Sequence, residues 1–251
     1  MIAIVMAYFS REKQLLKTLE SFMQYNPNDF YVVIIDDGSP EDIILPALPF
    51  EVIIRKNPKK RWSNPGPAFN KGFCEALLSN PDIVIIQNPE SYHMGDVVGY
   101  AKTVKEDQYL SFACYSQGQG EEPGSVINNK GATFDGESAW YNHPEYRPVY
   151  YHFCSAIRTS NLIKLNGFDE RFIHGLAFED NYFVHQVRSL GLHMSIITDP
   201  FVVHQWHHNH SGDADNAGIW GINERLYNDL IKVADYRAQH LVTYDLSWNQ
   251  V

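Results

Sequence analysis

The sequence predicts an α/β fold with a mostly parallel central sheet, and three observations carry that expectation. Apolar runs at 2–6, 31–35 and 83–86 alternate with segments of helical periodicity, the pattern of strand, crossover helix and parallel strand. The run Ile83-Val84-Ile85-Ile86 is apolar throughout, as a strand buried on both faces is. The run 31–35 ends in Asp36-Asp37-Gly38-Ser39. That places two carboxylates and a turn at the carboxyl edge of the sheet, where open α/β sheets bind nucleotides.

The elements follow in chain order. Residues 2–6 form a first strand, and 11–25 a helix with Leu15, Leu16, Leu19, Phe22 and Met23 at helical spacing. Strands at 31–35 and 52–54 precede a helix at 65–78, which opens after Asn64-Pro65-Gly66-Pro67 and turns Ala68, Phe69, Phe73, Ala76 and Leu77 inward. A strand at 83–86 closes this regular half. Beyond it the pattern predicts strands at 109–115 and 150–157, short helices or helices at 160–165, 179–190 and 219–238, and short strands at 194–197 and 201–203. Residues 116–148, rich in Gly, Asn, Glu and Pro, read as a long loop or flap, with 118–124 as a candidate lid. No repeat or linker interrupts the chain. One domain over 1–251 is expected, with a nucleotide-binding half at 1–116, an acceptor and catalytic half at 117–210 and a helical extension at 211–251.

Composition narrows the function classes. The net charge of −10 over 251 residues argues against nucleic-acid binding, which needs basic patches. The only basic run, Arg55-Lys56 through Lys59-Lys60-Arg61, suits either a phosphate-bearing ligand or a solvated loop. Aromatic content of 14% is generous; most such rings pack cores, a surplus lines sugar- or base-binding clefts, and Trp62, Trp140, Trp206 and Trp220 suit either packing or stacking on sugars. Three scattered cysteines, Cys74, Cys114 and Cys154, suit buried thiols in a reducing compartment. The first residues read as a core strand rather than a leader, and no window approaches a transmembrane span. A cytoplasmic location is expected, where the Asn209-His210-Ser211 sequon carries no meaning.

Four clusters can carry chemistry: Ala7-Tyr8-Phe9-Ser10-Arg11, Asp36-Asp37, Gln87-Asn88-Pro89-Glu90 and Glu179-Asp180. The first three follow parallel strands, so they converge on one edge. These residues resemble family-two, inverting glycosyltransferases of the GT-A fold over roughly the first 210 residues. Ala7 through Arg11 resembles the opening strand and helix, with Ala7 where the family has Pro. Asp36-Asp37-Gly38-Ser39 matches the nucleotide motif, and Phe69-Asn70-Lys71-Gly72 resembles the donor-site Arg-Asn-x-Gly. Gly167-Phe168-Asp169-Glu170-Arg171-Phe172, then Glu179-Asp180 and Arg188-Ser189-Leu190-Gly191, match the acceptor-side pattern.

The resemblance implies a Rossmann-like sheet flanked by helices, a smaller acceptor-side sheet and a C-terminal helix. It implies a nucleotide-sugar donor, UDP-sugar favoured, bound by Ala7, Phe9, Arg11, Asp36, Asp37, Asn70 and Asn88, with Asp37 on the base. The acceptor is a glycan, a lipid-linked sugar or a protein glycan. The metal motif departs from Asp-x-Asp: Gln87-Asn88-Pro89-Glu90 leaves Glu90 as the acidic ligand. The imidazoles of His204, His207, His208 and His210 offer further ligands, with His204 first choice and His207 second. Glu with His suits Mn²⁺ or Mg²⁺, and a metal-independent enzyme stays open. Asp180 is the expected general base with Glu179 beside it orienting the acceptor; the plainer reading is that the pair caps a helix. Two alternatives remain: an inactive nucleotide-sugar or glycan-binding module, and a sugar-phosphate nucleotidyltransferase. The latter wants a Gly-rich phosphate loop after the first strand, and Ala7 to Arg11 has no glycine.

Overall fold

The computed structural model describes residues 1–121, 127, 130–133, 138–208 and 217–246. In chain order the elements are β1 (Ile2–Tyr8), α1 (Glu12–Ser21), a 3-10 turn (Phe22–Gln24), β2 (Phe30–Asp36), β3 (Val52–Lys56), α2 (Gly66–Leu77), β4 (Ile83–Gln87), β5 (Ser91–Met94) and α3 (Val97–Ala101). They continue with β6 (Gln108–Ser116), β7 (Ala139–Asn142), β8 (Cys154–Arg158), α4 (Thr159–Leu165), a 3-10 turn (Glu170–His174), α5 (Glu179–Ser189), β9 (His193–His204) and α6 (Ala217–Leu230).

One nine-stranded sheet holds all the strands, in the order β3-β2-β1-β4-β8-β6-β9-β5 with β7 on β6. β3, β2, β1 and β4 pair in parallel, and antiparallel β8 joins this block to the second half. The acceptor-side strands therefore continue the central sheet. Residues on one face of β1 and β2, such as Ile4, Met6, Val32 and Ile34, pack with Leu15, Leu19 and Phe22 of α1 and its turn. The alternate residues Ala3, Val5, Val33 and Ile35 pack with Ala68, Phe69 and Phe73 of α2. Period-two alternation thus feeds two apolar layers. Gly72 lets α2 lie close: a Cβ there would stand 2.5 Å from Val5 Cγ1.

The second half corrects several expectations. The stretch 116–148 contains β7, antiparallel to β6. Residues 194–197 and 201–203 belong to one strand, β9, parallel to β6 and antiparallel to β5. The strand expected at 150–157 starts only at Cys154, and the last helix ends at Leu230 rather than 238. β5 is polar in sequence yet buried. There Tyr25 Oη and His93 Nδ1 lie 2.9 Å apart, and His93 Nε2 and Gln87 Oε1 2.8 Å apart. Burial lowers the His93 pKa to about 3, so this bridge works with a neutral ring. Of the candidate lid, residues 122–124 lie outside the described residues, as do Asn209, His210 and Ser211.

Glu170 ties the C-terminal segment to the core. Its Oε2 accepts from the backbone N–H groups of Leu241, Val242 and Thr243 at 2.7, 2.6 and 3.1 Å. Its Oε1 accepts from Asn70 Nδ2 at 3.0 Å and from the Thr243 hydroxyl. Burial opposes ionisation of Glu170, but the Thr243 and Asn70 donors and the backbone amides outweigh it and hold the pKa below the ordinary value. A depressed folded-state pKa contributes stability above the unfolded-state value, and that stability is lost as pH falls through the folded one. Glu170→Ala strands several donors and is expected to cost about 3 kcal/mol in urea unfolding. Glu170→Gln is expected to flatten the acid limb of wild-type stability.

Candidate active site

The register of the parallel block sets the site. Tyr8 pairs with Asp36 and Met6 with Gln87, so the residues after β1, β2 and β4 emerge on one edge. The turn after β1 is held to the turn after β2: Asp37 N donates to Tyr8 O at 2.8 Å, and Ser10 N to Ser39 Oγ at 2.9 Å. Asp36 is buried, and its Oδ1 accepts from Ser39 N at 2.8 Å. Asp37 accepts from Asn57 Nδ2 at 3.0 Å on Oδ1 and from Lys60 Nζ at 2.6 Å on Oδ2. Ala7 is half-buried on β1 and Phe9 is exposed beside it, with the Lys60 ammonium 4.8 Å from the ring centroid.

At the end of β4 a carboxylate and two imidazoles gather. Single ligand atoms of Glu90, His204 and His207 all lie within 4.8 Å of one another. Glu90 Oε1 is 3.4 Å from His204 Nε2 and 3.5 Å from His207 Nε2. Ligand atoms about 2.1 Å from one ion stand about 3.0–3.4 Å apart, so this spacing fits a shared divalent cation. Glu90 Oε2 and His207 Nε2 are buried without a hydrogen-bond partner. His207 Nδ1–H points to His208 O at 2.9 Å, which leaves Nε2 with its lone pair free for a ligand. Burial pushes the Glu90 pKa up, but the Arg11 guanidinium, 2.6 Å from Oε1, and the two imidazoles hold it well below the ordinary value. β5–β9 pairing of Ser91 with His204 builds the frame. Gln205 fastens it, its N–H donating to Glu90 O at 3.0 Å and its amide to Gln14 O at 2.9 Å. Asn88 meets Phe153 O through its backbone N–H at 3.1 Å.

Glu179 and Asp180 open α5. Glu179 Oε2 accepts from Asn64 Nδ2 at 2.7 Å; Asp180 Oδ1 accepts from Asn181 N at 2.7 Å. Asn181 donates its amide to Tyr151 Oη, and the Arg147 guanidinium lies 5.8 Å from the Tyr141 ring and 5.9 Å from the Tyr151 ring. Tyr141 in turn meets His204 edge-on, 5.1 Å between centroids. Contacts thus run from Asp37 through the 57–64 loop to Glu179, and from Glu90 through His204, Tyr141 and Arg147 toward Asp180. Burial raises the pKa of both acids, and the Asp180 charge raises that of Glu179 further. The pair can hold one proton between them near neutral pH, as a base and a neutral donor side by side.

Asn70 does not face this edge. It is buried in α2, donating to Phe168 O at 2.8 Å and accepting from Phe168 N at 2.8 Å, so it is a joint between α2 and the 167–170 turn. Lys71 turns to Asn57 Oδ1 at 2.6 Å. Among the tryptophans, Trp62 lies edge-on to His174 and Trp140 packs on Tyr115 and Phe201, while Trp206 and Trp220 are exposed. Residues absent from the sequence-based list are Asn57 and Lys60 on Asp37, Asn64 on Glu179, and Arg147, Tyr151 and Asn181 around Asp180. A cleft of about 370 Å³ lined by Arg55, Lys71, Cys74, Leu78 and Tyr244 among others lies against α2 and holds none of the proposed acids.

Residues 3–99 match the model of the family described as glycosyl transferase family 2. Among solved structures, Staphylococcus aureus TarS 1-349 in complex with UDP-GlcNAc matches with a TM-score of 0.61 at 15% identity, over 85% of this chain and 61% of that one. The mannosyltransferase PcManGT from Pyrobaculum calidifontis in complex with GDP-Man and Mn²⁺ matches at 0.51 and 12%, over 84% and 58%. GalNAc-T7 with UDP, GalNAc and Mn²⁺ matches at 0.54 and 10%, over 83% and 43%. The chain thus spans about three fifths of TarS 1-349. No curated protein matches its sequence. The mixed α/β architecture with its curled sheet is the GT-A fold.

The titration of the α5 pair is open to measurement. Asp180→Asn is expected to lower the Glu179 pKa by removing the neighbouring charge, and Asn64→Ala to raise it by removing a donor to the ionised form. Carboxyl-carbon NMR titration of the two variants checks both signs.

Proposed function

We propose that this chain, a GT-A fold whose residues 3–99 match the model of glycosyl transferase family 2, transfers a sugar from a nucleoside diphosphate sugar, a UDP-sugar first, to an acceptor hydroxyl with inversion. The observation that carries the reading is the cluster of Glu90, His204 and His207 within 4.8 Å, on the sheet edge where Asp37 also ends. Solved structures of the same fold are complexes with UDP-GlcNAc, with UDP, and with GDP-Man and Mn²⁺, which supports a nucleotide-sugar donor and a divalent cation here.

Each residue has a task. Asp37 accepts a hydrogen bond from the imide N–H of the base, and Phe9 offers a ring face beside it. Glu90, His204 and His207 would hold Mn²⁺ or Mg²⁺, a cation that would supply positive charge against the departing diphosphate. Asp180 receives the proton of the acceptor hydroxyl as that oxygen bonds to the anomeric carbon. The bond from the anomeric carbon to the diphosphate oxygen breaks in the same displacement, and its electron pair leaves with the diphosphate. Attack from the opposite face inverts the centre. Glu179, protonated by burial and by the Asp180 charge, orients the acceptor, a glycan or lipid-linked sugar, between Asn64 and Tyr151.

Asp180→Asn is expected to lower transfer by at least about a hundredfold while donor affinity, read by calorimetry, stays within about twofold. Retention of most transfer by that variant refutes the base assignment. Because the base must be ionised and its pKa is raised, kcat/KM is expected to fall on acidification at a pH above the ordinary carboxylate range. Glu179→Gln leaves that limb in place, since burial is the main cause of the Asp180 shift. Glu90→Gln and His204→Ala are each expected to weaken Mn²⁺ binding, followed by electron paramagnetic resonance, by roughly ten- to a hundredfold. Unchanged Mn²⁺ affinity in both variants removes the metal from the reading.

A further inference from the structure

The basic run 55–61 is folded onto the base-reading acid. Gly38, at φ +89°, has the Lys59–Lys60 peptide directly over its α-carbon: a Cβ there would meet Lys59 C and Lys60 N at 2.1 Å. That approach fixes where the Lys60 side chain starts. Its ammonium then closes on Asp37 Oδ2 at 2.6 Å while standing 4.8 Å from the Phe9 centroid. Asn57 already donates to the other oxygen, Oδ1. The Asp37 side chain is only 9% exposed and that of Lys60 31%, so the lysine covers the way to the carboxylate. A base reaching both the acid and the ring has to displace it.

We propose that Lys60 is a displaceable gate on the nucleobase pocket, holding Asp37 and Phe9 in the free protein and passing to the ligand's phosphates when a nucleotide enters. The proposal rests on the nucleotide-sugar reading above. Its logic is one of charge. A base that donates an imide N–H to Asp37 replaces a cation on the carboxylate with an uncharged donor, and the released ammonium needs another anion. A nucleoside brings none; a nucleoside diphosphate brings one with the base. The gate therefore opposes an uncharged ligand and favours a phosphorylated one, a selection that Asp37 and Phe9 cannot make by themselves.

Calorimetry of wild type, Lys60→Met and Lys60→Gln with uridine and with UDP tests this, with guanosine and GDP alongside and thermal melts to verify folding. In both variants uridine is expected to bind roughly two- to fivefold tighter, the scale of a half-exposed ion pair. UDP is expected to bind about tenfold weaker, the scale of one charge-assisted hydrogen bond. Opposite signs for nucleoside and diphosphate are the mark of the gate. A loss of both in parallel makes Lys60 a direct base contact and overturns the proposal, as does no change in either. Wild type that binds none of the four ligands overturns the nucleotide-sugar reading itself.

Discussion

Three parallel strands with apolar interiors are the constraint on which the rest depends. β1, β2 and β4 lie between helices on both sides and are apolar through most of their length, and the first acid and amide side chains, Asp36 and Gln87, come at the last residues of β2 and β4. The in-register pairing of Tyr8 with Asp36 and of Met6 with Gln87 makes these strand ends fall at one level. Acids placed after such strands have a single edge to occupy. The site is a consequence of burying the strands, before any ligand is considered.

The acids at that edge fall into two electrostatic classes. Asp37 and Glu90 each carry a cation on one oxygen, Lys60 and Arg11, both at 2.6 Å. Glu179 and Asp180 have no ion-pair partner within 4 Å among the described residues, and burial drives their pKa values up. In the first class each carboxylate is held in an ion pair that a competing partner has to displace. The second class is poised to take up a proton. The two pairs of acids thus differ in what faces their carboxylates, and the 57–64 loop touches both, through Lys60 on Asp37 and Asn64 on Glu179.

The regular half of the fold was legible because its strands are apolar and its helices periodic. β5 was not, since Ser91-Tyr92-His93-Met94 looks like loop; its buried His93 ring is held by Tyr25, distant in sequence, and by Gln87 at the end of the neighbouring strand β4. β7 lay in a Gly- and Pro-rich stretch, and Asp199-Pro200 split what is one strand. At the site, Glu90 was expected from the resemblance and His204 and His207 from the histidine-rich stretch after the last strand; what brings the three together is the β5–β9 pairing that the sequence pattern had hidden. Asn70 matched a donor motif, yet it sits one position from Phe69 and three from Phe73, both inward-facing, and that spacing already pointed to burial. Lys60 could not be placed from the basic run alone. The missing cue was Gly38, a glycine kept free of a side chain by the loop above it.

The start of α5 shows how the remaining half of the site is held. Ala177 and Phe178 are non-glycine residues with φ of 59° and 68°, a left-handed pair that costs of order 1–3 kcal/mol per residue. Such a pair persists only where surrounding contacts over-determine it. Asn223 of α6 supplies them, donating to Phe172 O at 2.9 Å and Ala177 O at 2.8 Å. Phe178 in turn lies against Trp220 and Tyr227 of the same helix. The last described helix thus fixes the two residues that precede Glu179 and Asp180. The backbone free energy stored there is spent on direction: an unstrained turn would start α5 at another angle and carry the acids away from Asn64 and Tyr151.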